Sequence, residues 1–194
     1  MEIVDLAFSG PFAWLPGGPV PSLCEVPVGD SQGLYVWTVP TPGGELIYYV
    51  GETGRSFARR MQEHLSEQLS GRYRLYEPGV FVQGQKMLLW RGVYGPGSQP
   101  DVEGFVAQLP SLAPALVRFV RLMRFHVAPT RCADRLRRRM EAALAHHLHE
   151  QKGLVGSFQD EDVRYVPRCP DEEPIVVRLT WHQKPLGVPE SLQA

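Results

Sequence analysis

Apolar and polar positions are patterned most clearly between Gly33 and Leu69. Leu34 to Val39 and Glu45 to Val50 are rich in aromatic and β-branched residues, and Pro40, Pro42, Gly43 and Gly44 lie between them. That composition predicts two strands joined by a short hairpin loop. A loop centred on Pro42 pairs Tyr35 with Tyr49, Trp37 with Ile47 and Val39 with Glu45. Directly opposed residues share a face, with Cβ atoms about 5 Å apart, so this register sets two phenols side by side. Gly51 and Gly54 then let the backbone turn tightly, and Ser56 stands as the N-cap of a helix. On that helix Phe57, Met61, Leu65 and Leu69 recur at helical spacing as a buried stripe. Arg60 and His64 form a second line beside it. Two phenols, a guanidinium and an imidazole are thus expected at one end of a small sheet. Taken singly, each has an ordinary structural role; the ordered combination is what points to chemistry.

Elsewhere the pattern is weaker. Glu2 to Phe8 reads as a short strand, followed by a Pro/Gly-rich stretch through Asp30, with an edge strand or a specificity element as its possible uses. Residues 72–94 alternate enough for two or three strands, with turn signals at Pro78-Gly79 and Gln83-Gly84. Here Tyr73, Tyr76, Phe81, Trp90 and Tyr94 interleave with Arg72, Arg74, Lys86 and Arg91. Such mixtures stack on bases and hold phosphates, although a half-buried sheet with a polar outer face is the commoner use. Gly95 to Pro100 reads as a loop. Val102 to Leu109 reads as a short helix, and Pro110 and Pro114 interrupt it before Ala115 to Met123. Arg124 to Ala128 is a strand. Thr130 to Gln151 is a long helix with Thr130 as N-cap and Ala133, Leu136, Met140, Ala143, Leu144 and Leu148 inward. Glu141, the sole carboxylate on its central part, lies at the border of that stripe. Ile175 to Trp181 is a last strand before a frayed tail.

Composition narrows the classes. The 194 residues suffice for one domain with one core. Net charge is −1, so overall charge is silent about nucleic acid, but its distribution is not. Arg118, Arg121, Arg124, Arg131, Arg135, Arg137, Arg138 and Arg139 face a single acid, Asp134, within 118–139, whereas the tail is acidic. A locally basic surface attracts phosphate even on a neutral chain; an Arg-rich, Lys-poor bias is the plainer explanation. Cys24, Cys132 and Cys169 match neither a disulfide framework nor a zinc spacing. With no signal-peptide pattern and no apolar run of membrane-spanning length, a cytoplasmic protein with no membrane partner is expected.

The hairpin and helix together resemble the GIY-YIG nuclease superfamily over residues 33–65. Gly33-Leu34-Tyr35 stands at the first motif and Tyr49-Val50-Gly51 at the second. Arg60 and His64 match the helix Arg and the His or Tyr one turn later, with Arg59 as a rival for the arginine role. The family places a metal-binding Glu on the helix after its third strand, and Glu141 fits that place. Its last motif, an Asn shortly after that helix, has no counterpart, because the chain contains no Asn; Ser157 or Gln151 would have to supply a replacement.

The resemblance implies an α/β fold: a small central, about three-stranded, largely antiparallel sheet flanked by helices, with an inserted β/α segment. In this reading residues 1–32 are an arm packed on the core. Residues 33–160 form the nuclease-like domain with an insertion at about 72–114, and residues 161–194 hold a C-terminal strand and tail. The implied activity is Mg²⁺- or Mn²⁺-dependent hydrolysis of a DNA phosphodiester, with Tyr35, Tyr49, Arg60, His64 and Glu141 catalytic. Glu141 would hold the metal, and Gly51, Arg59 and Arg138 would bind substrate. Tyr35, with a depressed pKa or help from a neighbour, would take the proton of the attacking water, and His64 would orient Tyr35 or relay its proton. Cutting both strands of duplex or branched DNA would call for a homodimer or two visits. The alternative is a catalytically inactive domain of the same shape that binds nucleic acid or protein.

Overall fold

The computed structural model describes residues 2–94, 99–160 and 165–194. Residues 95–98 of the expected loop, and Glu161 and Asp162 of the acidic tail, lie outside the described residues. A 12-residue strand, β1 (Glu2–Ala13), comes first. The hairpin β2 (Gly33–Thr41) and β3 (Gly44–Thr53) leads into α1 (Phe57–Leu69). Next come β4 (Leu75–Tyr76), α2 (Pro78–Phe81) and β5 (Leu88–Trp90). They are followed by α3 (Val102–Leu122), β6 (Arg124–Pro129) and α4 (Asp134–His149). Last are α5 (Leu154–Phe158), β7 (Ile175–Trp181) and β8 (Ser191–Gln193).

The sheet overturns the expectation of a small three-stranded centre. It has six strands in the order β3-β2-β6-β1-β7-β8, and β4 and β5 form a separate two-stranded sheet. The N-terminal stretch is neither an arm nor an edge: β1 lies between β6, its antiparallel partner, and β7, with which it runs parallel. It passes through Gly10-Pro11 because its register with β6 shifts between Ser9 and Phe12. Such a bulge tolerates a residue that lacks an N–H. The shift also swaps faces, since Leu6 and Phe8 belong to one buried cluster and Phe12 to the other.

Those clusters define two layers. On one face Tyr35, Trp37, Phe125, Phe57, Met61 and Phe119 pack the sheet against α1 and α3. On the other, Leu34, Val36, Ile47 and Val50 meet Met140, Leu144 and Leu148 of α4. As the outermost strand, β3 is reached by helices from both faces.

The hairpin register differs from the one expected. Tyr35 opposes Gly51 and Trp37 opposes Tyr49, whereas beyond Trp37 the pairing steps to Thr38 with Ile47 and Val39 with Leu46. Tyr48 is the extra residue of a bulge. The bulge breaks strict alternation, so that Tyr48 and Tyr49 both pack with the Tyr35 face while Ile47 and Val50 go to the α4 face. The two phenols are therefore diagonal neighbours.

The helices bring further corrections. Ser56 caps α1 by accepting from the Arg59 amide, but its buried line is Phe57, Met61, His64 and Gln68. Leu65 is only partly buried and Leu69 is exposed. α3 is continuous through Pro110 and Pro114. By length and mean hydropathy it also reaches the measure of a membrane span, contrary to the sequence expectation. A third of that stretch is buried, with Phe105, Leu116 and Phe119 in the core. α4 begins at Asp134 after an uncapped Ala133, not at Thr130, whose amide instead bonds the Gln32 carbonyl.

Candidate functional site

The site is built around the Tyr35 ring. Tyr35 lies opposite Gly51, and a Cβ on Gly51 would stand 2.4 Å from the ring. Gly51 thus provides close approach of a ring, not the turn expected of it. Gly33 serves similarly on the other side. Its φ is +149°, and a Cβ there would lie 2.2 Å from the Ala128 carbonyl oxygen.

Around the phenol, α1 places two groups one turn apart. Arg60 Nε donates to the Tyr35 hydroxyl at 3.4 Å, and His64 Nε2 lies 2.8 Å from the same oxygen. On the far side of the imidazole, Nδ1 lies 2.9 Å from the Tyr73 hydroxyl. Burial, reinforced by Arg60 and Arg55, pushes the His64 pKa down to about 3. The ring is therefore neutral near pH 7, with one donor and one acceptor nitrogen. One tautomer has Tyr35 donating to Nε2 and Nδ1–H donating to Tyr73; the other reverses both bonds. Tyr49 completes the group, its ring centroid 6.1 Å from that of Tyr35.

Glu141 approaches from the opposite layer. An edge strand leaves main-chain groups without strand partners, and the Glu52 amide of β3 favours the charged form of Glu141. Burial, then the neighbouring Glu52 carboxylate, raises the Glu141 pKa to about 7, against the pull of Arg138 and Arg60. Its charge is felt at Tyr35, Tyr49 and Tyr165. Tyr165 donates to the Val50 carbonyl at 3.3 Å, and the Asp160 amide bonds the Tyr48 carbonyl at 2.9 Å. Asp160 and Tyr165 thus both bond main-chain carbonyls of the outermost strand β3.

Tyr35, Tyr49, Arg60, His64 and Glu141 are accordingly brought into one neighbourhood. The electrostatics of Tyr35 run against expectation. The ring has 0% exposure, and burial drives its pKa up to about 12 although Arg60 and Tyr49 pull it down. Arg59 is exposed and pairs with Glu63 at 3.6 Å, away from Tyr35. Arg138 is exposed at 3.8 Å from Glu52, at the outer rim. Neither stand-in for the missing Asn reaches the group. Gln151 bonds the Gly187 carbonyl and His147, and Ser157 bonds Leu154. Sequence reasoning gave no role to Glu52, Tyr73 or Tyr165. Tyr73 carried a signal, its place in an aromatic and basic run; Glu52 and Tyr165 carried none.

A cavity of about 270 Å³ opens beside these residues. Tyr49, Arg60 and His64 form its wall toward Tyr35, and Arg72, Tyr73 and Tyr94 come from the 72–94 segment.

A hard divalent cation binds through one or two carboxylates, keeping several waters and engaging substrate phosphate. The donors here fit that mode. Glu141 is a carboxylate whose charged form is disfavoured by burial and by a second carboxylate, and a cation relieves that cost. Glu52 is engaged by Arg137 at 3.0 Å, which leaves Glu141 as the carboxylate that could hold a cation.

No protein-family model, curated protein or solved structure matches this chain.

Proposed function

We propose that the chain is a divalent-metal-dependent DNA endonuclease with a GIY-YIG-type site. The observation that carries this reading is the Tyr35 hydroxyl held between Arg60 Nε at 3.4 Å and His64 Nε2 at 2.8 Å, with Glu141 coupled to it from the other layer. Packing alone would not call for a guanidinium, an imidazole and a carboxylate around one buried phenol.

The roles follow from position. Arg60 lines both the cavity and the phenol, so its guanidinium binds the non-bridging oxygens of a phosphate, where charge grows in the transition state. Tyr49 orients the phosphate or the attacking water. Tyr35 in its phenolate form would take the proton of that water, with His64 orienting its oxygen. Burial lifts the phenol to about 12, so base action near pH 7 would require the positive charge of Arg60 and of a bound cation beside it. Glu141 would hold the Mg²⁺ or Mn²⁺, which when bound stabilises charge on the phosphate and the leaving oxygen.

Supercoiled plasmid with purified protein and Mg²⁺ or Mn²⁺ tests the proposal. Nicking is expected, to fall by at least about 100-fold in Tyr35→Phe and Glu141→Ala, and to survive in Arg59→Ala. Equal residual cutting in all variants marks contamination and overturns the reading. A non-catalytic DNA-binding module is the second reading, favoured by the complete burial of Tyr35. It predicts salt-sensitive DNA binding and no metal-dependent nicking.

A further inference from the structure

The cavity beside the site has more chemistry than a phosphate needs. Its volume of about 270 Å³ lies just under the range of about 300–1,000 Å³ typical of drug-sized ligands. It is the size for one small planar group and excludes a duplex. At the mouth Arg72 lies over the exposed Tyr94 ring, 5.1 Å from its centroid, and Arg91 stands nearby. Both arginines make exposed ion pairs, Arg72 with Glu67 at 3.0 Å and Arg91 with Asp101 at 3.7 Å. Such pairs are weak and exchange readily for an incoming anion.

Deeper in, the indole of Trp37 forms part of the lining. Trp37 is 4% exposed. The Gln68 amide is also on this wall.

We propose that this cavity holds one unstacked nucleotide of the DNA strand, next to the phosphate gripped by Arg60. Tyr94 stacks on the base, and Arg72 and Arg91 hold its phosphate. Aromatic stacking with cationic flanks is how single strands are held with little sequence preference. Extrusion of a base from a duplex is easiest where the base is mismatched or already unpaired. The reading rests on the nuclease proposal for the place of that nucleotide in the substrate, and it makes the 72–94 insertion the part that selects unpaired DNA.

Isothermal titration of the full chain in EDTA separates the two proposals, because no metal-dependent cleavage occurs and only the cavity is read. Thymidine 5′-monophosphate is expected to bind at least about tenfold more tightly than inorganic phosphate. Tyr94→Ala should weaken nucleotide binding by about tenfold or more, whereas Tyr94→Phe, which keeps the ring, retains it. Tyr94 is 57% exposed, so neither change threatens the fold. Equal affinity for phosphate and nucleotide, or unchanged affinity in Tyr94→Ala, overturns the proposal whether or not the protein nicks plasmid. Nucleotide binding by a chain that never nicks leaves the cavity assignment standing and removes only the nuclease.

Discussion

On α4, the Arg137 side chain is 3% exposed and lies between Glu52 at 3.0 Å and Asp134 at 2.6 Å. At the cavity mouth, Arg72 and Arg91 are 53% and 55% exposed in their own acidic pairs. All three are arginines beside carboxylates, yet the consequences differ by burial. Separating a buried pair strands a charge in a poor solvent, whereas an exposed pair is worth little and is screened by salt. The rest of α4 follows Arg137. Arg135 is bound to Glu172, and Arg139 bonds the Glu173 and Ala194 carbonyls at 2.6 and 2.8 Å. Much of the basic run between Arg118 and Arg139 is therefore committed to holding the C-terminal segment and β3. The arginines that line the cavity come instead from α1 and the 72–94 segment.

Arg137→Ala is the sharpest way to break the contrast. It should lower stability by about 3 kcal/mol, because Glu52 loses its closest partner while remaining largely enclosed. Urea denaturation measures it. A loss no larger than that of an exposed arginine would make the α4 arginines as dispensable as those at the rim.

A second contrast is one of pH. Burial and Arg124 lower His126 to about 4, and burial with Arg60 lowers His64 to about 3. Both are neutral in the fold, while in the unfolded chain they titrate at 6.5. Between pH 6.5 and these lower values the unfolded state binds more protons, so stability is full above 6.5 and falls as pH drops. Glu141 acts in reverse. Its pKa rises from 4.5 unfolded to about 7 folded, so its charged form weakens the fold above pH 7 and that penalty fades toward 4.5. Glu141→Gln removes this term. The variant should gain about 1–3 kcal/mol over the wild type at pH 8 and no advantage at pH 4, with a steeper acid loss between. Thermal melts across pH 4–8 check both. A uniform gain at every pH would mean that Glu141 is not held charged against its surroundings.

The same division governs what the chain discloses before it is folded. The β2–β3–α1 segment was readable because its signals are local: dense β-branched and aromatic runs, a Pro-Gly turn, and a Ser cap at Ser56. The register was not, because Tyr48 enters as an extra residue and nothing in its own type marks a bulge. The sheet was underestimated for a different reason. β1 pairs with β7 in parallel, Leu6 beside Leu179, and no local pattern records a partner so far along the chain. The prolines of α3 misled in the opposite sense. Pro110 and Pro114 lack donors, yet the helix runs through both, since packing by Phe105, Leu116 and Phe119 outweighs the lost bonds. Within the site, Arg60 and His64 were legible from their one-turn spacing. Glu52 and Tyr165 were isolated polar residues until the open edge of β3 gave them a shared place.

The smallest expected effect closes the comparison from the other end. Arg91→Ala removes a side chain whose one carboxylate contact among the described residues, Asp101 at 3.7 Å, is exposed. Its cost to stability should be within about 0.5 kcal/mol, measurable as a nearly unchanged urea midpoint. If Arg91 holds the phosphate of a nucleotide, DNA binding by the same variant should still weaken, and the slope of log affinity against log salt should become shallower by about one contact. A variant that loses stability but not salt dependence would place Arg91 with Arg137 among the structural arginines. The midpoint and the salt slope together thus decide, for one residue, to which of the two sets it belongs.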